Sequence, residues 1–510
     1  MSFLSILFKN VEDYESITNE MPEFFRDLNL DKIIDGITAG RERYNLKPYF
    51  YTPLRDVDAI RYRQEIMKDL EDKVLFDNIK SFSQKMIVVQ EHLGQAQRLY
   101  NKYQKESWFL DAVEIYCDAV NTLLCDLTSA NLNSQGFISF REYLKNYVES
   151  NSFRSLFRET KKLKDDLSVV KYCILIKGNC VKVRKYMSEI DYSKEVIKTF
   201  ERFKQNSVKD YTVQFSDYPE MNHIEAQILD FVAKLYLEIF SHLDNYSLRN
   251  ANFIDETIAI FDKEIQFYIS YLEFIEKLKK AGLKFCYPQI SDKIKEVYNF
   301  EGFDMALAYK LVNENQNIVC NDFYLKGEER IIVVTGPNQG GKTTFARAFG
   351  QIHFLAGLGC PVPGKRAQLF LYDRIFTHFE KEENIKDLRG KLEDELLRIR
   401  YILEKATPNS VIIINEIFTS TTLKDAIFLS KKIMEKILQK KLLCVWVTFV
   451  YELAVESEKI VSMVSSVNLK NPAIRTYKIL RKVPDGFSYA MSIAEKYRLT
   501  YNLLKERIRS

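Results

Sequence analysis

Residues 331–345 read IIVVTGPNQGGKTTF. Four β-branched apolar residues and a threonine have the texture of a buried strand, and a glycine-rich turn and a helical run follow. The turn fits G-x-x-x-x-G-K-[ST], with Gly336, Gly341, Lys342 and Thr343 at the fixed positions. Each part has a chemical reason. Glycines let backbone N–H groups close around phosphate oxygens. Lys342 reaches the β and γ oxygens of ATP, and the Thr343 hydroxyl ligates Mg²⁺. A helix starting near 342 points its positive end at the anion. Pro337, Asn338, Gly340 and Thr344 complete the expected cradle.

Outward from this loop, short apolar strands alternate with helices: SVIIIN (410–415) and LLCVWVT (442–448). That texture begins near 295 and reads as an α/β domain with a mostly parallel sheet, over 291–510. Before it, 1–290 reads as mainly helical. Segments 55–104, 106–130, 222–247 and 252–282 carry apolar residues at three- and four-residue spacing, as in Ile224, Ile228, Phe231, Leu235 and Ile239. The proline in KFCYPQIS (284–291) marks the boundary. Helices this long, with so few breakers, suggest extended arms.

One insert, about 160–220, interrupts the helices. YCILIKGNCVKV (172–183) reads as a hairpin turning at Lys177-Gly178-Asn179, and VQF (213–215) as a third strand. Residues 158–210 hold 14 Lys/Arg against 8 Asp/Glu, so they exceed the whole-chain charge of +4. Clustered basic residues supply the sequence-independent term of nucleic-acid binding; a solvated surface is the plainer alternative. Lys177, Lys182, Arg184 and Lys185 are the candidate DNA contacts.

Composition bounds the rest. At 510 residues the chain forms two or more domains, and 46% apolar with 28% charged residues is ordinary for a globular protein. The eight cysteines form no C-x-x-C pair and read as reduced, mostly buried thiols. No stretch approaches the length of a membrane helix, and the start lacks a signal h-region. The expected location is cytoplasmic, with no membrane partner.

GPNQGGKTT (336–344) resembles the phosphate loop of the MutS family of DNA mismatch-repair ATPases, which read G-P-N-x-G-G-K-S/T. Further segments follow in that family's order: YDRIFTHF (372–379), NEI (415–417), TFVYEL (448–453) and DGFSYAMSIAEKYRL (485–499). TPLRDVDAIRYRQEIMKDL (52–70) is similar to the start of the family's helical core. The likeness implies an ABC-type phosphate-loop ATPase domain, a helical core with lever arms and a clamp-like insert. It implies a homodimer paired through the ATPase domains, supported by the helix at 496–510, on double-stranded or branched DNA. The roles it implies are Lys342 and Glu416 in catalysis, and Thr343 and the residue at 415 at Mg²⁺.

Three positions depart from the family's pattern. The aspartate expected before Glu416 is Asn415, which brings no charge to the metal. The histidine expected after Thr448 is Phe449, which cannot donate to phosphate. The signature segment aligns with LRGKLEDEL (388–396), where Gly390 replaces a serine and Glu395 keeps an acid. Binding parts are intact and turnover parts are thinned, so ATP hydrolysis is expected to be slow. The family's N-terminal Phe-x-Glu wedge is not expected either; Phe274-Ile275-Glu276 reads as helix packing. Two functions follow: an ATP-gated DNA clamp of mismatch repair or recombination, or a nucleotide-dependent protein scaffold with no DNA role.

Overall fold

The computed structural model describes residues 3–190, 192–201, 221–380, 390–455, 457–467, 475–483, 499–501 and 504–505. The strand expected at 213–215, nearly all of 485–499 and most of the helix expected at 496–510 lie outside these residues.

The chain folds into two compact units, and neither is one continuous stretch. One comprises 1–3, 72–132 and 138–262; the other comprises 4–71, 133–137 and 263–510.

The second unit is built on a six-stranded sheet. Its strands are β1 (Ile331–Thr335), β2 (Ile375–Phe379), β3 (Val411–Asn415), β4 (Leu443–Val447), β5 (Ile460–Val467) and β6 (Arg475–Arg481). They lie in the order β2-β3-β4-β1-β5-β6; the first five run parallel and β6 is antiparallel at the edge. The expected mostly parallel sheet is present. Every residue of β1 and β4 is buried, as continuous β-branched runs require when both faces of a sheet are covered. Three helices follow strands: α1 (Lys342–Gly357), α2 (Lys391–Lys405) and α3 (Leu423–Gln439). Ile399, Ile402, Ile433 and Met434 of α2 and α3 share a core with Ile412, Ile414 and Trp446 of the sheet. Helix α1 is buried along almost all its length. At Gly350 a Cβ would fall 2.6 Å from Ile413 Cδ1 and 2.7 Å from Leu28 Cδ1, so a larger residue would have to push these two side chains aside.

Leu28 belongs to the N-terminal stretch, which packs within this unit. Arg347 Nε donates to Asp27 O at 2.9 Å, Gln351 Nε2 to Leu28 O at 2.8 Å, and Thr377 Oγ1 to Asp27 Oδ2 at 2.6 Å. Residues 5–8 are held likewise. Ser5 Oγ and Ile6 N donate to Glu264 Oε2, Tyr268 Oη donates to Ile6 O, and Arg63 Nε donates to Leu7 O. Burial pushes the Glu264 carboxyl up to about 7. Phe274 is buried and stacks on Tyr309, which is the packing role expected for it.

The other unit is helical. Lys73–Arg98 and Lys102–Ser129 pack against each other, with Asn151–Ser168 and Leu237–Arg249 against the second of them. The hairpin pairs Tyr172–Lys177 with Cys180–Lys185 around a two-residue turn, and Gly178 takes the left-handed φ of 60° that the turn demands.

The cysteines are free, but the expectation that most are buried fails. Cys117, Cys360 and Cys444 are buried, whereas Cys125 and Cys180 are exposed and three others are half-buried. Cys173 and Cys180 lie on a hairpin whose two faces cannot both be covered. Among the described residues no helix is long and apolar enough to cross a membrane.

Candidate functional site: the glycine loop and the basic hairpin

The loop 336–341 leaves the C-terminal end of β1 and enters α1 at Lys342, outside the carboxyl ends of the strands where open α/β sheets take their ligands. Gly336 (φ 121°) and Gly341 (φ 88°) hold backbone angles that disfavour side chains. At Gly340 the constraint is space. A Cβ there would fall 2.3 Å from Ser465 Oγ, and that hydroxyl donates to Gly340 O at 2.7 Å. Ser465 of β5 is thus the floor of the loop.

Lys342 is only 4% exposed. Its Nζ donates to Gly336 O and Pro337 O at 3.1 Å each, lies 4.0 Å from Glu416 Oε1 and sits 4.3 Å from the Phe449 ring centroid. Burial pushes the ammonium below its usual range, and Glu416 opposes the shift. A phosphate oxyanion is a stronger acceptor for these protons than the two carbonyls.

Thr343 Oγ1 donates to Asn415 Oδ1 at 2.9 Å. Adjacent oxygens in an octahedral shell with bonds of roughly 2.0–2.1 Å stand about 2.9 Å apart, so this pair fits the spacing of Mg²⁺ ligands. Both oxygens are neutral, so charge must come from elsewhere.

Glu416 begins a strained turn. Glu416 (φ 55°) and Phe418 (φ 63°) both occupy the left-handed region without being glycine. The turn is pinned from two sides: Glu416 N donates to Val447 O at 3.0 Å, and Phe418 N donates to Glu395 Oε2 at 3.0 Å. Burial pushes the Glu416 carboxyl above its ordinary value, with Lys342 opposing. Glu395 is buried and pushed up by burial, the Phe418 N–H opposing, so here it holds the turn. Gly390 is exposed at the N-cap of α2, and among the described residues nothing lies within 4 Å of a Cβ placed there. Phe449 is 49% exposed, its ring over the lysine.

The structure therefore gathers Lys342, Thr343, Asn415, Glu416 and Phe449 at one loop. Pro337 joins them through its carbonyl. The sequence alone does not point to Ser465, and a small polar residue in the run VSSV is a weak signal for it.

The four basic candidates of the hairpin do not share a face. Lys182 pairs with Leu175, Arg184 with Cys173 and Lys177 with Cys180, so Lys177, Lys182 and Arg184 alternate onto one face. Lys185 lies on the other, with Val183, which packs against Val232, Ala233 and Phe240. Lys185 Nζ stands 4.8 Å from the Tyr236 ring centroid, and Arg184 Nη2 lies 3.0 Å from Glu189 Oε1.

Fold and loop together define an α/β domain with a strand–glycine loop–helix site suited to phosphate. Residues 332–507 match the family model of MutS domain V. The DNA mismatch repair protein MutS of Petrotoga mobilis is 24% identical across 78% of this chain and 51% of its own length. That of Aquifex pyrophilus is 25% identical across 98% of this chain and 60% of its own length, and the DNA mismatch repair protein Msh2 of Dictyostelium discoideum 25% across 94% and 50%. Residues 332–507 thus match a MutS domain, and most of the chain is similar to proteins of the MutS family. The chain spans about half to three-fifths of the length of these relatives.

Proposed function

We propose that this chain binds Mg²⁺-ATP at the glycine loop, hydrolyses it slowly and uses binding to gate a clamp-like hold on DNA in mismatch repair or recombination. The observation that carries the reading is the Thr343–Asn415 contact of 2.9 Å beside Lys342 and Glu416, which assembles phosphate, metal and base functions at one strand end. The ABC-type phosphate-loop fold is supported by β4, which separates the loop strand from the strand carrying Asn415-Glu416. The role in repair is supported by the relatives, which are DNA mismatch repair proteins by name.

Lys342 holds the phosphates and Thr343 with Asn415 would hold Mg²⁺. When bound, that ion would neutralise phosphate charge. Glu416 accepts a proton from the attacking water, and its raised carboxyl suits a base. Asn415 contributes no charge and Phe449 no proton, so the chain's own residues favour holding ATP over cleaving it. Pairing into a homodimer through 291–510 and contact with double-stranded or branched DNA through the basic hairpin of 1–290 complete the proposal. Binding that favours one of two conformations suffices for gating and needs no rapid hydrolysis.

Three variants test the site. Lys342→Ala should abolish ATP binding by titration calorimetry. Glu416→Ala should keep binding and lose roughly 10²–10⁴-fold in turnover. Asn415→Asp should raise turnover. An active Glu416→Ala variant would mean the base is elsewhere, and undiminished binding by Lys342→Ala would place the nucleotide elsewhere.

A further inference from the structure

Four groups surround the Lys342 ammonium: the carbonyls of Gly336 and Pro337, the Glu416 carboxylate and the Phe449 ring. Three of them are oxygen acceptors, and the ring is the exception. Phe449 is 49% exposed, whereas the lysine is 4% exposed. Part of the ring therefore meets solvent, while its centroid lies 4.3 Å from Nζ. It covers the cation.

The backbone that carries the ring is fixed on both sides. Thr448 N donates to Val334 O at 3.1 Å, which ties the end of β4 to the loop strand β1. Val450 N donates to Thr448 Oγ1 at 3.0 Å. A 3₁₀ turn follows, Tyr451–Val455, and its Leu453 and Ala454 are buried in the core of the sheet, against which Val450 also packs. The place of the ring is thus set by its own side-chain torsions and by the attraction of its face for the ammonium.

Cleavage of ATP has to happen around this same ammonium. A γ-phosphate held by Lys342 and a water activated by Glu416 both stand near Nζ, and Glu416 Oε1 is 4.0 Å from it. An enclosed water needs roughly 2–4 hydrogen-bond partners, and a phenyl ring is none of them. We infer that Phe449 is a water-excluding residue: its ring fills the side of the Lys342–Glu416 pair from which the attacking water would come, so bound ATP is kept and not cleaved. This rests on the nucleotide reading of the loop and adds to it. The ring slows cleavage by its bulk, beyond having no proton to give. The two causes are separable, because alanine at this position removes the ring and supplies no donor.

The test measures two quantities on the full chain: Mg²⁺-ATP affinity by titration calorimetry, and hydrolysis in a single turnover. Phe449→Ala should speed hydrolysis by roughly 10²-fold, the lower end of what a positioned base contributes once water reaches it. It should leave the Kd within roughly 5-fold, the size of a cation–π contact at a half-exposed ring. Phe449→Leu refills most of the space and should gain far less than Phe449→Ala. Hydrolysis by Phe449→Ala no faster than by the unaltered chain would overturn the inference, since the missing donor alone would then account for slow cleavage. Equal gains with alanine and leucine would overturn it too, because bulk would not be the cause. So would a collapse of ATP affinity in Phe449→Ala, which would make the ring a binding contact. If the unaltered chain binds no ATP, it is the nucleotide reading of the loop that falls, whatever the variants do.

Discussion

Asn415 has the shape of an aspartate and none of its charge. Its Oδ1 meets Thr343 Oγ1 at 2.9 Å, so the proposed Mg²⁺ site has the spacing of two ligands and lacks a charge at this position. Two neighbouring groups carry the consequence for pH. Burial raises the Glu416 carboxyl and lowers the Lys342 ammonium. Turnover needs Glu416 ionised, so the rate should rise with pH through a point above the ordinary carboxylate range. It needs Lys342 protonated, so the rate should fall at high pH through a point below the usual lysine range. A profile of kcat/KM against pH, which reports the free site, should therefore be a bell narrowed from both sides, and an acid limb at the value of a free carboxylate would contradict the assigned base. Lys342 and Thr343 are legible in the sequence because fixed spacing along one strand, turn and helix encodes them. Ser465 is not. It reaches the loop from more than a hundred residues downstream, through the pairing of β5 with β1.

Strands declare themselves more readily than their faces do. The hairpin is readable from two apolar runs around a glycine turn, but a period of two only says that residues alternate. Which face turns outward is decided by Val183 packing against Val232, Ala233 and Phe240. Lys177, Lys182 and Arg184 share the face away from that packing, whereas Lys185 sits at the Tyr236 ring. Lys177→Ala, Lys182→Ala and Arg184→Ala together should flatten the slope of log affinity for duplex DNA against log salt by roughly 0.9 for each phosphate no longer neutralised. Lys185→Ala should leave the slope nearly unchanged. An unaltered slope in the triple variant would remove the hairpin from the DNA interface. Helix breaks are less legible. The run expected over 55–104 is cut near Leu70, where Asp72 caps the next helix by accepting from Leu75 N, and 222–247 is cut at Tyr236. Neither break has a proline or glycine to mark it.

Across the whole molecule, chain order and compactness disagree. Periodicity suggests a division near 290, yet residues 4–71 fold with 263–510. The contacts responsible, such as Ser5 with Glu264 and Asp27 with Arg347, join single residues some 259 and 320 positions apart and leave no local pattern. The glycine loop, by contrast, is visible at once. That asymmetry explains why the site can be read before the scaffold that holds it. The central claim is that this scaffold retains ATP binding with thinned turnover and couples binding to DNA. The most direct measurement is the Kd for Mg²⁺-ATP and the steady-state hydrolysis rate on one purified sample, with and without duplex and branched DNA. Tight binding, slow turnover and a shift of the Kd by DNA are required. Rapid DNA-stimulated hydrolysis would mean that Asn415, Phe449 and Gly390 do not thin turnover, and an absence of any DNA effect on either quantity would sink the clamp in favour of a protein scaffold.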